Sequence, residues 1–253
     1  MSRHLAIEIA DRAVVIDEIF NGDSGRSIFH FLSGRTDQDI KEELTDVFKE
    51  HGLTDDAFDE ITVSVFTKET TLVPTAIFGD TNAKDVYRLC FGETNSGMQL
   101  DFNRIPEHGL VNVFAIQEWI KSFFVIRFPR VIVQHSGSHL IRAVLDKNAF
   151  KTKVGIHLYD QQFLLTITKH DRLEYYSYFD HSAVDDILYH TFFVLQQKEL
   201  AQDSGTILIS KGVGSSPSLS SELIEKIKLV NDLKTFKTEV VDDLHSKSQL
   251  LCV

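Results

Sequence analysis

HLAIEIADRAVVI, residues 4–16, reads as two short strands joined by a tight turn. A similar stretch returns at residues 155–168, GIHLYDQQFLLTIT. A chain that opens each half with such a hairpin suggests a duplicated fold. The functional question is then whether these turns grip a phosphate or are only turns.

Outward from the first hairpin, residues 4–9, 13–20 and 26–33 read as three strands in a meander. NGDSG at 21–25 joins the last two, since Asn and Gly accept positive φ. TDQDIKEELTDVFKEHG is a helix with Thr36 as N-cap and Asp39 in the first turn. Its apolar stripe is Ile40, Leu44, Val47 and Phe48, and Gly52 is its stop. ITVSVF at 61–66 is a strand. From residue 67 the pattern loosens. Pro74 breaks it, and a short helix follows over Asn82–Leu89. Then come the strands MQLDF and LVNVFAI, the helix QEWIKSFFVIRF, the strand RVIVQ, and the helix SGSHLIRAVLDKN capped by Ser136 or Ser138.

The second half repeats the scheme more compactly. KVGIHLYD, QFLLTITKH and RLEYYSYF are strands joined by DQ and HD turns. SAVDDILYHTFFVLQQKEL is a long helix, capped by His181–Ser182, with Val184, Ile187, Leu188, Thr191 and Leu195 inward. GTILIS is a strand. SPSLSSELIEKIKLV is a helix with Ser216 as cap and Pro217 in the first turn. TFKTEVV is the final strand. This order makes residues 67–115 an insertion into the first copy. The polar joint DKNAFKTK puts the domain border at 1–151 and 152–253.

The formal charge of −11 gives the chain no general attraction to phosphate backbones or anionic lipid. Without a Lys/Arg-rich run, nucleic acid is not an expected partner. VNVFAI and SFFVIRF fall far short of the ~20 apolar residues that span a bilayer, so no membrane insertion is expected. The N-terminus lacks the apolar core of a signal peptide. Cys90, in the apolar context YRLCF, reads as a small buried residue. Cys252 stands next to last, and CxxC metal spacing is absent. The expectation is a reduced, cytoplasmic protein.

Chemical constellations reduce to structural readings. His135 and His139 are four apart, a spacing that can bind Zn²⁺, but no third ligand stands near and packing accounts for them. Ser136 and Ser138 in HSGSH resemble a nucleophile elbow without its glycines, so capping is the better account. Asp185–Asp186 opens a helix, where carboxylates favour the macrodipole. The aromatic run EYYSYF fits sheet packing.

Two tandem β-β-β-α-β-α units resemble the actin/Hsp70/sugar-kinase superfamily, built on two ribonuclease H-like domains with mixed sheets. The segment from VNVFAIQEWIKSFF to SGSHLIRAVL, followed by the hairpins from residue 153, is similar to the cytoplasmic pilus-assembly branch. More closely, HLAIEI, TLVP at 71–74, NVFAI before a helix, FPRV before SGSHLIRA, and the hairpin at 153–179 resemble a Bacteroidetes family of actin-like-fold proteins whose function is unknown.

That resemblance implies where a nucleotide would sit. In active members ATP with magnesium lies between the halves. Each half offers a strand ending in an acid, one residue, Gly, then Ser or Thr, and a third Gly-Gly loop meets the adenosine. Glycine lets backbone N–H groups close on phosphate oxygens. In the first copy Glu8 takes the acid position, Ala10 the Gly position and Asp11 the hydroxyl position. In the second, His157 takes the acid position and Tyr159 the Gly position, followed by Asp160. In the third loop Lys211 replaces the first Gly, Gly212 remains, and Gly214 and Ser215 follow ahead of a helix N-terminus, leaving an anion or nucleotide loop as a candidate. Ala10 and Tyr159 remove the glycine, and Asp11 adds negative charge. The implied function is therefore a pseudo-ATPase without catalytic or metal-binding residues, a scaffold binding another protein. The alternative is a divergent nucleotide-binding ATPase or switch using the interdomain cleft, with Glu8, Asp11, His157 and Asp160 as metal ligands and Lys211 on a phosphate.

Overall fold

The computed structural model describes residues 2–145, 151–170, 172–216, 218–230 and 233–252. Most of the joint DKNAFKTK, Asp171 of the HD turn, Pro217 and the side chain of Cys252 lie outside the described residues. The chain divides into two compact units, residues 1–139 with 249–253, and residues 140–248.

In the first unit β1 (Arg3–Ala10), β2 (Ala13–Phe20), β3 (Asp23–Phe31), β4 (Glu60–Val65) and β8 (Ile132–His135) form one sheet in the order β3-β2-β1-β4-β8. The meander is antiparallel, with Ile7 opposite Ile16 and Ile9 opposite Val14, while β4 and β8 run parallel to β1. Alternation sends Leu5, Ile7 and Ile9 to one face. There they pack with Leu44, Val47 and Phe48 of α1 (Asp37–Glu50) and Ile120 and Phe124 of α3 (Glu118–Arg127). Thr36 caps α1 as expected: its hydroxyl accepts the Asp39 N–H, and the Asp39 carboxylate accepts the Thr36 N–H. Gly52 takes φ +67° just past the helix end.

The expected five-residue NGDSG loop contracts to two residues. Asn21 and Gly22 both have positive φ, the conformation of a tight hairpin turn, so β3 starts at Asp23.

Between β4 and α3 the first unit carries a small antiparallel sheet in the order β5-β7-β6, where β5 is Thr70–Pro74, β6 Met98–Ile105 and β7 Leu110–Gln117. The helix α2 (Ala83–Phe91) belongs to the same segment. The strand at 70–74 is not legible in the sequence, where Pro74 reads as a breaker. Pro74 ends an edge strand, where a missing N–H removes no interior ladder bond. Cys90, expected to be buried, is an exposed free thiol; Tyr87 is the buried residue of α2.

The second unit repeats the larger sheet. β9 (Thr152–Leu158), β10 (Gln162–Lys169), β11 (Arg172–Asp180), β12 (Gly205–Lys211) and β13 (Phe236–Val241) lie in the order β11-β10-β9-β12-β13, with the same mix of antiparallel and parallel pairs. Val154, Ile156 and Leu158 meet Val184, Ile187 and Leu195 of α5 (Val184–Gln197) and Leu223 and Ile227 of α6 (Leu219–Leu229). Asp186 caps α5, accepting from the Ser182 N–H at 2.8 Å, the Ser182 hydroxyl at 2.8 Å and the Ala183 N–H at 3.1 Å. These bonds hold its carboxyl below the usual range. Helix α6 begins at Leu219 rather than Ser216, whose hydroxyl lies 3.1 Å from that of Ser218. A short helix α7 (Leu244–Lys247) follows β13, as α4 (Ser136–Val144) follows β8.

Candidate functional site

The turns that open the two units occupy equivalent places. In the first sheet Glu8 stands opposite Ser64 of β4; in the second His157 stands opposite Ser210 of β12. The sequence equivalence of Glu8 and His157 is thus also one of strand register.

The first turn is plain. Ala10 and Ala13 pair, Asp11 and Arg12 form the exposed bend, and all four residues keep negative φ. No glycine is needed there. Glu8 is buried, on the face of the sheet away from the α1/α3 core.

The second turn is filled. Tyr159 donates its N–H to the Gln162 carbonyl at 2.8 Å, closing the bend over Asp160 and Gln161. Its ring is 2% exposed, edge-on to His157 (centroids 4.9 Å apart, 76° between planes) and 6.3 Å from Tyr178. The His157 Nδ1 lies 2.7 Å from the Ser210 hydroxyl. Both rings sit directly on the loop that follows β12. A Cβ placed on Gly212 would fall 2.5 Å from Tyr159 Cε1 and 2.6 Å from His157 Nε2. Gly212 also donates its N–H to the Leu158 carbonyl at 2.7 Å, which ties that loop to the end of β9. The glycine here admits a neighbouring aromatic ring.

The remaining loop residues fall into the same cluster. Gly214 takes φ +81° beside the Asp160 side chain. Ser215 returns its N–H to the Gly212 carbonyl at 3.2 Å, and its hydroxyl is buried without a hydrogen-bond partner among the described residues. Lys211 pairs with Asp242 at 3.0 Å. Helix α6 begins at Leu219, with three residues between it and the loop's Ser215.

Both ring nitrogens of His135 are taken up by backbone groups. Its Nε2 donates to the Thr67 carbonyl at 2.8 Å, and its Nδ1 accepts the Gly137 N–H at 3.0 Å. Burial lowers its pKa to about 4. Ser138 is not a free cap. Its hydroxyl donates to Asn103 at 3.1 Å and accepts from Asn112 at 3.0 Å. Among the described residues, no group of three or more His, Cys, Asp or Glu could hold a metal ion.

Two buried polar networks were not singled out from the sequence. Thr70, Asn103, Asn112, His135 and Ser138 bind the inserted sheet to the end of β8. Asn103 and Asn112 face each other across β6 and β7, and a polar pair within apolar strands was the available signal. The second network runs from His4 Nε2 to the Thr62 hydroxyl at 2.7 Å and on to Gln249 Oε1 at 2.7 Å. Since Thr62 donates to Gln249, His4 must donate through Nε2. Burial lowers the His4 pKa to about 4.

Two copies of a β-β-β-α-β-α unit, each with a mixed five-stranded sheet, define the actin-like ATPase fold. The chain belongs to the family described as Protein of unknown function (DUF3822), which matches residues 3–228. Among solved structures, a Bacteroides thetaiotaomicron protein with an actin-like ATPase fold and unknown function aligns with a TM-score of 0.78 at 13% identity, covering 100% of this chain and 96% of that one. A PilM–PilN type IV pilus biogenesis complex aligns at 0.54 and 13% identity, covering 93% and 90%. The inorganic polyphosphate/ATP-glucomannokinase of an Arthrobacter strain aligns at 0.50 and 12%, covering 99% and 98%. No curated protein matches the sequence. Among the described residues, no helix is long and apolar enough to cross a membrane.

Proposed function

We propose that this protein is a non-catalytic member of the actin-like fold, a pseudo-ATPase of the cytoplasm that acts as a scaffold for another protein. One observation carries the reading: Tyr159 and His157 lie against Gly212, where a phosphate-binding turn and an adenosine loop would need open backbone. A phosphate that approached these N–H groups would have to displace a ring that is 2% exposed. The Lys211 ammonium, the remaining cation of that loop, is paired with Asp242. Glu8, Ala10, Asp11, His157, Tyr159 and Asp160 are then relics of phosphate loops. The resemblance to a pilus biogenesis complex supports a protein partner, as does an inserted sheet with its own small core.

The competing reading, a nucleotide switch that retains Gly212, Gly214 and the unpartnered Ser215 hydroxyl, makes an opposite prediction. A ligand at 100 times its Kd stabilises a fold by about 2.7 kcal/mol. The melting temperature is expected to stay constant in millimolar ATP or ADP with Mg²⁺. A rise of several degrees would overturn the scaffold reading.

A further inference from the structure

A groove of about 550 Å³ opens between α1 and α3, on the face of the first sheet opposite Glu8. That volume lies within the range of small-molecule sites. Its apolar lining includes Leu53, Phe123, Ile126 and Phe128. Two cations, Lys41 and Arg127, reach into it from the two helices.

Arg127 is unusual in being partly buried as well as unpaired, whereas Arg12, Arg35 and Arg172, which also lack an ion pair among the described residues, are exposed. Arg3, Arg26, Arg88, Arg104 and Arg130 each reach a carboxylate. Arg127 stacks on Phe48 at 5.1 Å and Phe128 at 5.8 Å, and its Nε is buried with no acceptor among the described residues. Burial pulls its pKa below the ordinary value, with no acid offsetting that pull. Lys41 has no ion-pair partner among the described residues, and Asp55, the acid on the rim, faces Arg130 at 3.5 Å. Partly desolvated charges are normally paired, because removing them from water is costly. Here an apolar wall and two cations share one groove with a single acid, Asp55, whose Oδ2 is turned to Arg130.

We propose that this groove binds a small apolar carboxylate, with Arg127 and Lys41 taking the carboxylate and the accessible Phe123 and Ile126 taking the hydrocarbon. The site is independent of the Tyr159 cluster and stands whether or not the chain binds nucleotide. Arg127 presents a planar fork suited to two carboxylate oxygens. The volume of the groove suits a small molecule rather than a protein segment, whose docking covers a far larger surface.

The test titrates the full chain with sodium octanoate, 1-octanol, and an acidic amphipathic peptide, read by calorimetry and by amide NMR shifts. Octanoate should bind at least about tenfold tighter than octanol. Its shifts should map to α1, α3 and residues 53–55. Arg127→Gln and Lys41→Gln should each weaken octanoate about tenfold and leave octanol unchanged. If Arg127→Gln loses its stacking and unfolds, Lys41→Gln and the shift map still decide. Equal affinity for octanoate and octanol, shifts elsewhere, or binding of the peptide alone would overturn the proposal.

Discussion

The β1–β2 and β9–β10 turns share a register and differ in everything that fills it. At the first, Ala10 and Asp11 make a small exposed bend. At the second, Tyr159 is built into the unit, between His157, Tyr178 and Gly212. A duplicated frame sets where a strand ends and which residue faces its neighbour. It leaves open whether the space beyond the strand receives a ligand or a side chain. In the second unit the chain itself takes that space.

Three perturbations test this contrast. The largest effect is expected from Tyr159→Gly. Removing a buried aromatic ring leaves a cavity, and glycine adds backbone freedom, so the loss should be about 4–5 kcal/mol in urea unfolding. Ala10→Gly in the equivalent turn should cost less than about 1 kcal/mol. If both variants cost the same, Tyr159 is not the plug described here.

Acid should act through the first unit. His4 and His135 have folded pKa values of about 4 against 6.5 for an unperturbed histidine. The unfolded chain therefore binds more protons between these values. Their contribution is complete above pH 6.5 and declines as pH falls towards 4. From pH 7 to pH 5 each histidine should remove about 2 kcal/mol from stability. A His135→Gln variant should flatten that slope, and an unchanged slope would show that His135 is not buried neutral.

Within the second turn a smaller effect than that of Tyr159→Gly is expected at Gly212→Ala, where the new methyl meets Tyr159 and His157 at 2.5–2.6 Å. Overpacking of this kind costs about 1–2 kcal/mol. Combining it with Tyr159→Gly should relieve most of that cost, and a double-mutant cycle measures the coupling. Additive effects would mean that ring and glycine do not touch.

Much of the frame is legible in the sequence alone. The Thr36 capping box, the α1 stripe, the Asn21–Gly22 turn and the repeated hairpins are local patterns, set within a few residues of one another. The β5 strand is not, because Pro74 is compatible with a strand only at a sheet edge, and edge position is a property of the assembled sheet. The exposure of Cys90 failed to show for a related reason: an apolar neighbourhood in sequence does not say which side of α2 meets the sheet.

For the candidate site, the residues of the loops could be read off by resemblance, and the missing glycines were visible there. What those residues do to one another could not be read. Tyr159 and Gly212 are far apart in sequence and are brought together only by the parallel pairing of β9 and β12. The lack of an acid beside Arg127, and the meeting of Asn103, Asn112, His135 and Ser138, arise in the same way. Backbone periodicity and turn chemistry act over neighbouring residues, so the linear chain determines the duplicated frame. Burial, pairing and the filling of space depend on which distant side chains the sheets bring within a few ångströms, and only the tertiary structure decides them.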